Sequence, residues 1–212
     1  MVAPPRVATS KIHDFVSSQQ DWVISAKQKI TRQKQAVKKI APEQFVDGAL
    51  VPFRGEQVEL NFKMGNASKK IQIELQGKVF NVFVPKNIAK VDCSDLVRLT
   101  LIDWMKLQAR KDVEASVALH ANKYNLYPRF IRIKTQKSRW GSCGIHNDIN
   151  LNWLLVLAPL SVLEYVVVHE ICHIKERNHS ANFWNLVEMH CPDYKVQRLW
   201  LKKNGSSLMQ GL

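Results

Sequence analysis

No C-x-x-C pair occurs in this chain, although it holds four cysteines: Cys93, Cys143, Cys172 and Cys191. That absence argues against a zinc ribbon and leaves four reduced thiols that read mostly as packing. Cys143 differs from the others in lying between two glycines, Gly141 and Gly144. No apolar run approaches the roughly 18 residues of a membrane helix, the longest strongly apolar stretch being residues 154–160. The opening Met1-Val2-Ala3-Pro4-Pro5-Arg6 lacks the hydrophobic core of a signal peptide. The expectation is a cytoplasmic protein with no membrane contact. Internal repeats and low-complexity segments are missing too. Acid is scarce: 18 Asp and Glu stand against 31 Lys and Arg, a net charge of +13. None lies between Glu114 and Asp148, where Lys123, Arg129, Arg132, Lys134, Lys137 and Arg139 follow one another. Such a run either attracts nucleic acid, nucleotide or an acidic protein, or is a solvated basic face.

What is present is an H-E-x-x-H pentapeptide, His169 to His173, inside the apolar run Tyr165-Val166-Val167-Val168-His169-Glu170-Ile171-Cys172-His173-Ile174. On a helix His169 and His173 lie about 40° apart, one turn apart on one face. Their imidazoles can converge on one tetrahedral ion, with Glu170 beside it as general base. Random shuffling of seven His and nine Glu among 212 residues gives the pattern about 0.01 times per chain. Two His and a Glu within a buried apolar helix need a partner, since unpaired burial costs several kcal/mol. A metal ion supplies it.

A catalytic zinc takes three protein ligands and keeps one position open. His179 is the favoured third ligand, with Glu188 as rival and His190 a weaker one. An unbroken helix would carry His179 about 15 Å along the axis from His169 and about 80° off its face. The helix must therefore end between Ile174 and Asn178. Lys175 and Arg177 suit a helix C-terminus, Asn178 tolerates left-handed backbone, and Ser180 can cap a new helix. Metzincins share this histidine spacing but carry Gly where this chain has Glu176, so the turn differs in detail.

The length suits one domain, or one with an added segment, and suffices for a sizeable core. The reading is an N-terminal basic helical segment, 1–45, followed by a metallohydrolase domain, 46–212, the two forming one compact unit. Helical spacing of Ile12, Phe15, Val16, Trp22, Val23, Ala26 and Ile30 predicts a helix over residues 11–39, broken by Ala41-Pro42. Strands are expected at 49–51, 57–62, 71–75 and 79–84, with a hairpin at Gly77. Ser94 is the expected cap of a helix reaching residue 122. Strands at 130–134 and 148–153 precede the histidine helix, which Pro159 opens. A last helix from Pro192 is expected to stop at Gly205. Trp140, Trp153 and Trp184 read as packing around the site.

Several separated motifs, in order, are similar to one family. They are Arg139-Trp140-Gly141-Ser142-Cys143, Asn150-Leu151-Asn152-Trp153, Ala158-Pro159, the histidine helix, Asn178-His179-Ser180, Phe183-Trp184 and Cys191-Pro192-Asp193-Tyr194. With Phe45-Val46-Asp47-Gly48 in the first half, the chain resembles the YgjP-like metallopeptidase family over about residues 15–205. The resemblance implies an α+β, minimal zincin-like fold: a small mixed β-sheet on the H-E-x-x-H helix, with additional helices. It implies one zinc held by His169, His173 and His179. That family is in turn similar to SprT-like and WLM proteases, some of which act on DNA-bound proteins.

The expected activity is hydrolysis of protein or peptide. Zinc would lower the pKa of a bound water toward about 7 and polarise the scissile carbonyl, and Glu170 would carry the proton. Arg139, Tyr165 and Tyr194 are candidates to stabilise the transition state. The segment holding Gly141 and Ser142 is expected to line the cleft, Gly141 letting a substrate backbone approach closely, with Arg132, Lys134 and Lys137 as a basic surface around it. Two alternatives stay open. One is a metal-dependent hydrolase of nucleotides or other phosphate esters, which suits the basic charge. The other is a DNA-associated protein-binding module with structural zinc, which would need a fourth ligand such as Cys143 and leave Glu170 without a use.

Overall fold

The computed structural model describes residues 7–35, 37–64, 70–86, 88 and 90–212. The opening hexapeptide and residue 36, within the expected first helix, lie outside them. Contacts divide the chain into two units, residues 1–38 and 39–212. The first unit holds two helices, α1 (Thr9–Ser18) and α2 (Gln20–Gln35), rather than one. They part at Gln19, whose N–H is shared between the Phe15 and Val16 carbonyls. α1 buries no side chain.

The second unit is α+β, with two small mixed sheets. Strands β1 (Leu50–Phe53), β2 (Glu56–Met64), β3 (Gln72–Gln76) and β4 (Val79–Val84) form a sheet in the order β1-β2-β4-β3. β2 and β4 are parallel, and the other two pairings antiparallel. Alternation in β2 sends Val58 and Leu60 into the core. Gly77, at φ 60°, supplies the left-handed residue of the β3–β4 turn. The second sheet, in the order β5-β7-β6, is made of β5 (Phe130–Lys134), β6 (Gly141–Cys143) and β7 (Asp148–Asn152). β5 runs parallel to β7 and β6 antiparallel to it, so β5 and β6 are its edges.

Helix α3 (Lys90–Tyr124) serves two cores. Its stripe of Val97, Leu101, Met105 and Ala109 packs with the first sheet, and Val113, Val117 and Ala121 pack with the second. Every step of that stripe is four residues, the spacing that keeps one helical face inward. α3 begins before Ser94, whose hydroxyl accepts from the Phe45 N–H at 2.9 Å instead of capping the helix. A 3₁₀ turn (Trp153–Leu157) leads to α4 (Leu160–Cys172), then α5 (Ala181–His190) and α6 (Tyr194–Leu208). α6 does not stop at Gly205. A Cβ there would stand 3.3 Å from the Trp140 ring, so the glycine serves close packing rather than termination. Among the described residues no helix is long and apolar enough to cross a membrane.

Candidate metal centre

Pro159 stands before the first turn of α4, where its missing N–H costs nothing. The helix then buries Val162, Leu163, Val166, Val167, Val168 and Ile171, which fixes its rotation, sets His169 beside His173 and turns His169 and Glu170 toward one cavity. α4 ends at Cys172, with His173 as its C-cap, slightly earlier than expected. The Glu176 N–H returns to the Cys172 carbonyl at 2.9 Å, closing a tight turn. Asn178 is not left-handed: among the described residues the non-glycine ones with positive φ are Arg54, Asn125 and Asn147. Ser180 does cap α5, its hydroxyl accepting from the Phe183 N–H at 3.4 Å.

The turn brings His179 back over the helix. One ring nitrogen from each of His169, His173 and His179 falls within 4.8 Å of the others. The Nε2 atoms of His169 and His179 are 3.0 Å apart. His173 donates Nδ1–H to the Glu176 carbonyl at 2.9 Å, which leaves its Nε2 lone pair free. Beneath them lies the fully buried ring of Phe183, 4.9, 4.5 and 4.8 Å from the His169, His173 and His179 ring centroids. Trp184 stacks on His179 at 5.7 Å and 24°. Burial, then the neighbouring His173, His179 and Arg198, push the His169 pKa down to about 3. The imidazole is therefore neutral, the form that ligates metal. His169 Nδ1 is buried without a hydrogen-bond partner among the described atoms. Converging imidazole nitrogens with an apolar floor fit a small divalent cation. Neither rival ligand joins them: Glu188 pairs with Lys195 at 3.2 Å, and His190 lies 3.3 Å from His120. Cys143 is outside the group as well.

Glu170 is 5 % exposed, and burial raises its pKa to about 8. Gly141 of β6 makes room for it. A Cβ at Gly141 would meet Glu170 Oε1 at 2.6 Å and its Cγ at 2.7 Å. The space expected to admit a substrate backbone is thus taken by the carboxylate. A cavity of about 280 Å³ opens here, lined by Arg139, Trp140, Gly141, Tyr165, His169 and Glu170 among others. Burial lifts the Tyr165 pKa to about 12.

The other expected residues are not among those that line this cavity. Ser142 accepts from Asn150 Nδ2 at 3.4 Å. Tyr194 stacks on Tyr165 at 6.5 Å and on Trp184 at 5.4 Å. Arg132 lies 3.5 Å from Asp148 and over the Phe130 ring. Lys134 and Lys137 are exposed.

Sequence reasoning missed four contributors. Phe183 is the floor of the histidine group. Arg198 of α6 lies 4.6 Å over Trp184. Arg177 ties the histidine turn to the β6–β7 turn. Asn152, 1 % exposed, donates Nδ2–H to the carbonyls of Gln136 at 2.8 Å and Arg139 at 3.1 Å. Its Oδ1 accepts from the Leu154 N–H at 3.2 Å. Asn152 thereby holds the loop that carries Arg139 and Trp140. An asparagine at the end of a strand that alternates polar and apolar residues, next to the apolar run from Trp153, is the one signal for it, because a buried amide needs such partners.

A family model described as "YgjP-like, metallopeptidase domain" matches residues 1–204. No curated protein matches the chain.

Proposed function

The chain belongs to the YgjP-like metallopeptidase family, and on that premise we propose that it is a zinc-dependent peptidase whose ligands are His169, His173 and His179. The observation that carries this reading is the convergence of three imidazole nitrogens within 4.8 Å, with His169 and Glu170 lining one cavity. Three nitrogen ligands without a carboxylate suit zinc better than magnesium or calcium. When bound, such an ion supplies Lewis acidity, polarising a carbonyl and making water acidic enough to react near neutral pH.

The chain's own residues do the rest. Glu170, backed by Gly141, takes a proton from the attacking water and returns it to the leaving amine. Its raised pKa, about 8 in the metal-free protein, suits a group that must hold that proton for part of the cycle. Tyr165 keeps its hydroxyl proton across the working range, with a pKa of about 12, and serves as a neutral donor. Arg139, in the same wall, offers a charged donor to the developing oxyanion. β6 is an edge strand, and an extended peptide can add there through backbone hydrogen bonds alone. We keep the cytoplasm as the proposed location, in line with the four free thiols.

The test is direct. Zinc-loaded protein and its Glu170→Gln form are incubated with casein, peptide libraries and nucleoside triphosphates. Cleavage of peptide bonds by the wild type, lost in the variant, is the expected result. Cleavage of the triphosphates alone would replace this reading with that of a phosphate-ester hydrolase.

A further inference from the structure

The third histidine is the weakest point of the proposed centre. His169 and His173 belong to the end of α4, but His179 stands in a turn, exposed to solvent. Its Cα is held only as firmly as that turn. One side of the turn is fixed by His173, whose Nδ1–H reaches the Glu176 carbonyl at 2.9 Å. The next residue, Arg177, fixes the other side. Its Nη1 donates to the Gly144 carbonyl at 2.9 Å and lies 3.7 Å from Cys143 Sγ. Its Nη2 donates to the Ile145 carbonyl at 3.4 Å and to the Asn147 side-chain oxygen. All of these acceptors belong to the β6 end and the β6–β7 turn. None is a carboxylate, so the guanidinium acts here by the shape of its donor fork rather than by pairing charge.

The acceptors are themselves prearranged. Asn147 stands at φ 62°, a left-handed position. Its N–H bonds the Gly144 carbonyl at 3.0 Å, and the Gly144 N–H bonds the Asp148 carbonyl at 2.9 Å. The same hairpin carries Gly141, against which Glu170 rests. One side chain thus sets the third histidine relative to the strand that backs the carboxylate.

We infer that Arg177 is a positioning residue for metal binding, clamping the His179 turn onto the β6–β7 turn. The inference rests on the three-histidine reading above. It goes beyond the helix-end charge that the sequence suggests for Arg177.

The test measures zinc affinity by competition with a chromophoric chelator, together with the visible absorption of the cobalt-substituted protein. Arg177→Ala is expected to weaken zinc binding by about 10- to 100-fold, the usual effect of removing an outer partner of a ligand. The cobalt spectrum should shift, while the unfolding midpoint of the metal-free protein stays close to wild type. Arg177→Lys keeps the charge but not the fork, and should lose affinity nearly as much. Asn147→Gly keeps the left-handed backbone and removes one acceptor, so a smaller loss in the same direction is expected even if the alanine variant folds poorly. Wild-type zinc affinity in Arg177→Ala, or full recovery by Arg177→Lys, overturns the inference and leaves the histidine ligands standing. A wild-type protein that takes up no zinc overturns both.

Discussion

Glu170 is buried, and desolvation of its carboxyl fixes how its removal will read out in the metal-free protein. Its folded pKa, about 8, is above the ordinary carboxylate range near 4.3. The folded state therefore binds more protons than the unfolded state between those limits, and stability falls as pH rises through that window. Glu170→Gln removes the penalty. In the metal-free form the variant should melt above wild type at pH 8, by about 2–4 °C for each kcal/mol recovered, and should lose that advantage below pH 4. Equal melting at both pH values would show that the carboxyl is solvated. Zinc-loaded Glu170→Gln should keep its metal yet lose peptide hydrolysis by roughly 10²- to 10⁴-fold. Metal analysis separates the ligands from their neighbours. His169→Ala and His173→Ala should abolish binding and His179→Ala weaken it strongly, whereas Glu188→Gln, which loses only a contact to Lys195, should retain zinc. Full zinc in His179→Ala with loss in Glu188→Gln would reverse the ligand choice.

Elements were legible where periodicity and punctuation agreed. The strands around Gly77, the Pro159 start of α4 and the Ser180 cap of α5 all follow from local chemistry. So did the pairing of His169 with His173, because helical spacing alone places them. Tertiary demands hid the rest. Ser94 looks like a cap but holds Phe45. Gly205 looks like a stop but admits Trp140. The clamp on His179 joins residues 177 and 144, whose proximity exists only after β6 and β7 have paired. Gly141 shows the same limit. Glycine beside the site suggested access for a substrate, while the packing gives the space to Glu170. Gly141→Ala tests that packing. A methyl at 2.6 Å from Oε1 must displace the carboxylate or β6, since overpacking costs typically 1–3 kcal/mol. Peptidase activity should fall well beyond any loss of zinc, because none of the three proposed ligands lies on β6. An alanine variant with unchanged activity would mean that Glu170 has other room.

Across the whole chain the +13 charge is not spread evenly in its chemistry. Arg129 and Arg132 spend theirs on Asp148, at 2.7 and 3.5 Å. Lys134 and Lys137 stay exposed outside the cavity lining, whereas Arg139 belongs to it. The basic run therefore separates into paired, solvated and site-facing parts, which composition cannot distinguish. The separation sets a graded expectation for acidic peptide substrates. Lys134→Gln with Lys137→Gln removes charges that act through water, worth less than about 1 kcal/mol each, and salt should mimic the change because screening acts within about 10 Å at 0.1 M. Arg139→Gln removes a charged donor from the cavity wall, worth about 1.5–3 kcal/mol, or roughly tenfold and more in kcat/KM. That loss should persist at high salt, because bound substrate would cover the exposed Arg139 side chain, and a covered contact is screened less than a charge left in water. Should the two lysines outweigh Arg139 at low salt, the approach to the cleft, and not its wall, selects the substrate.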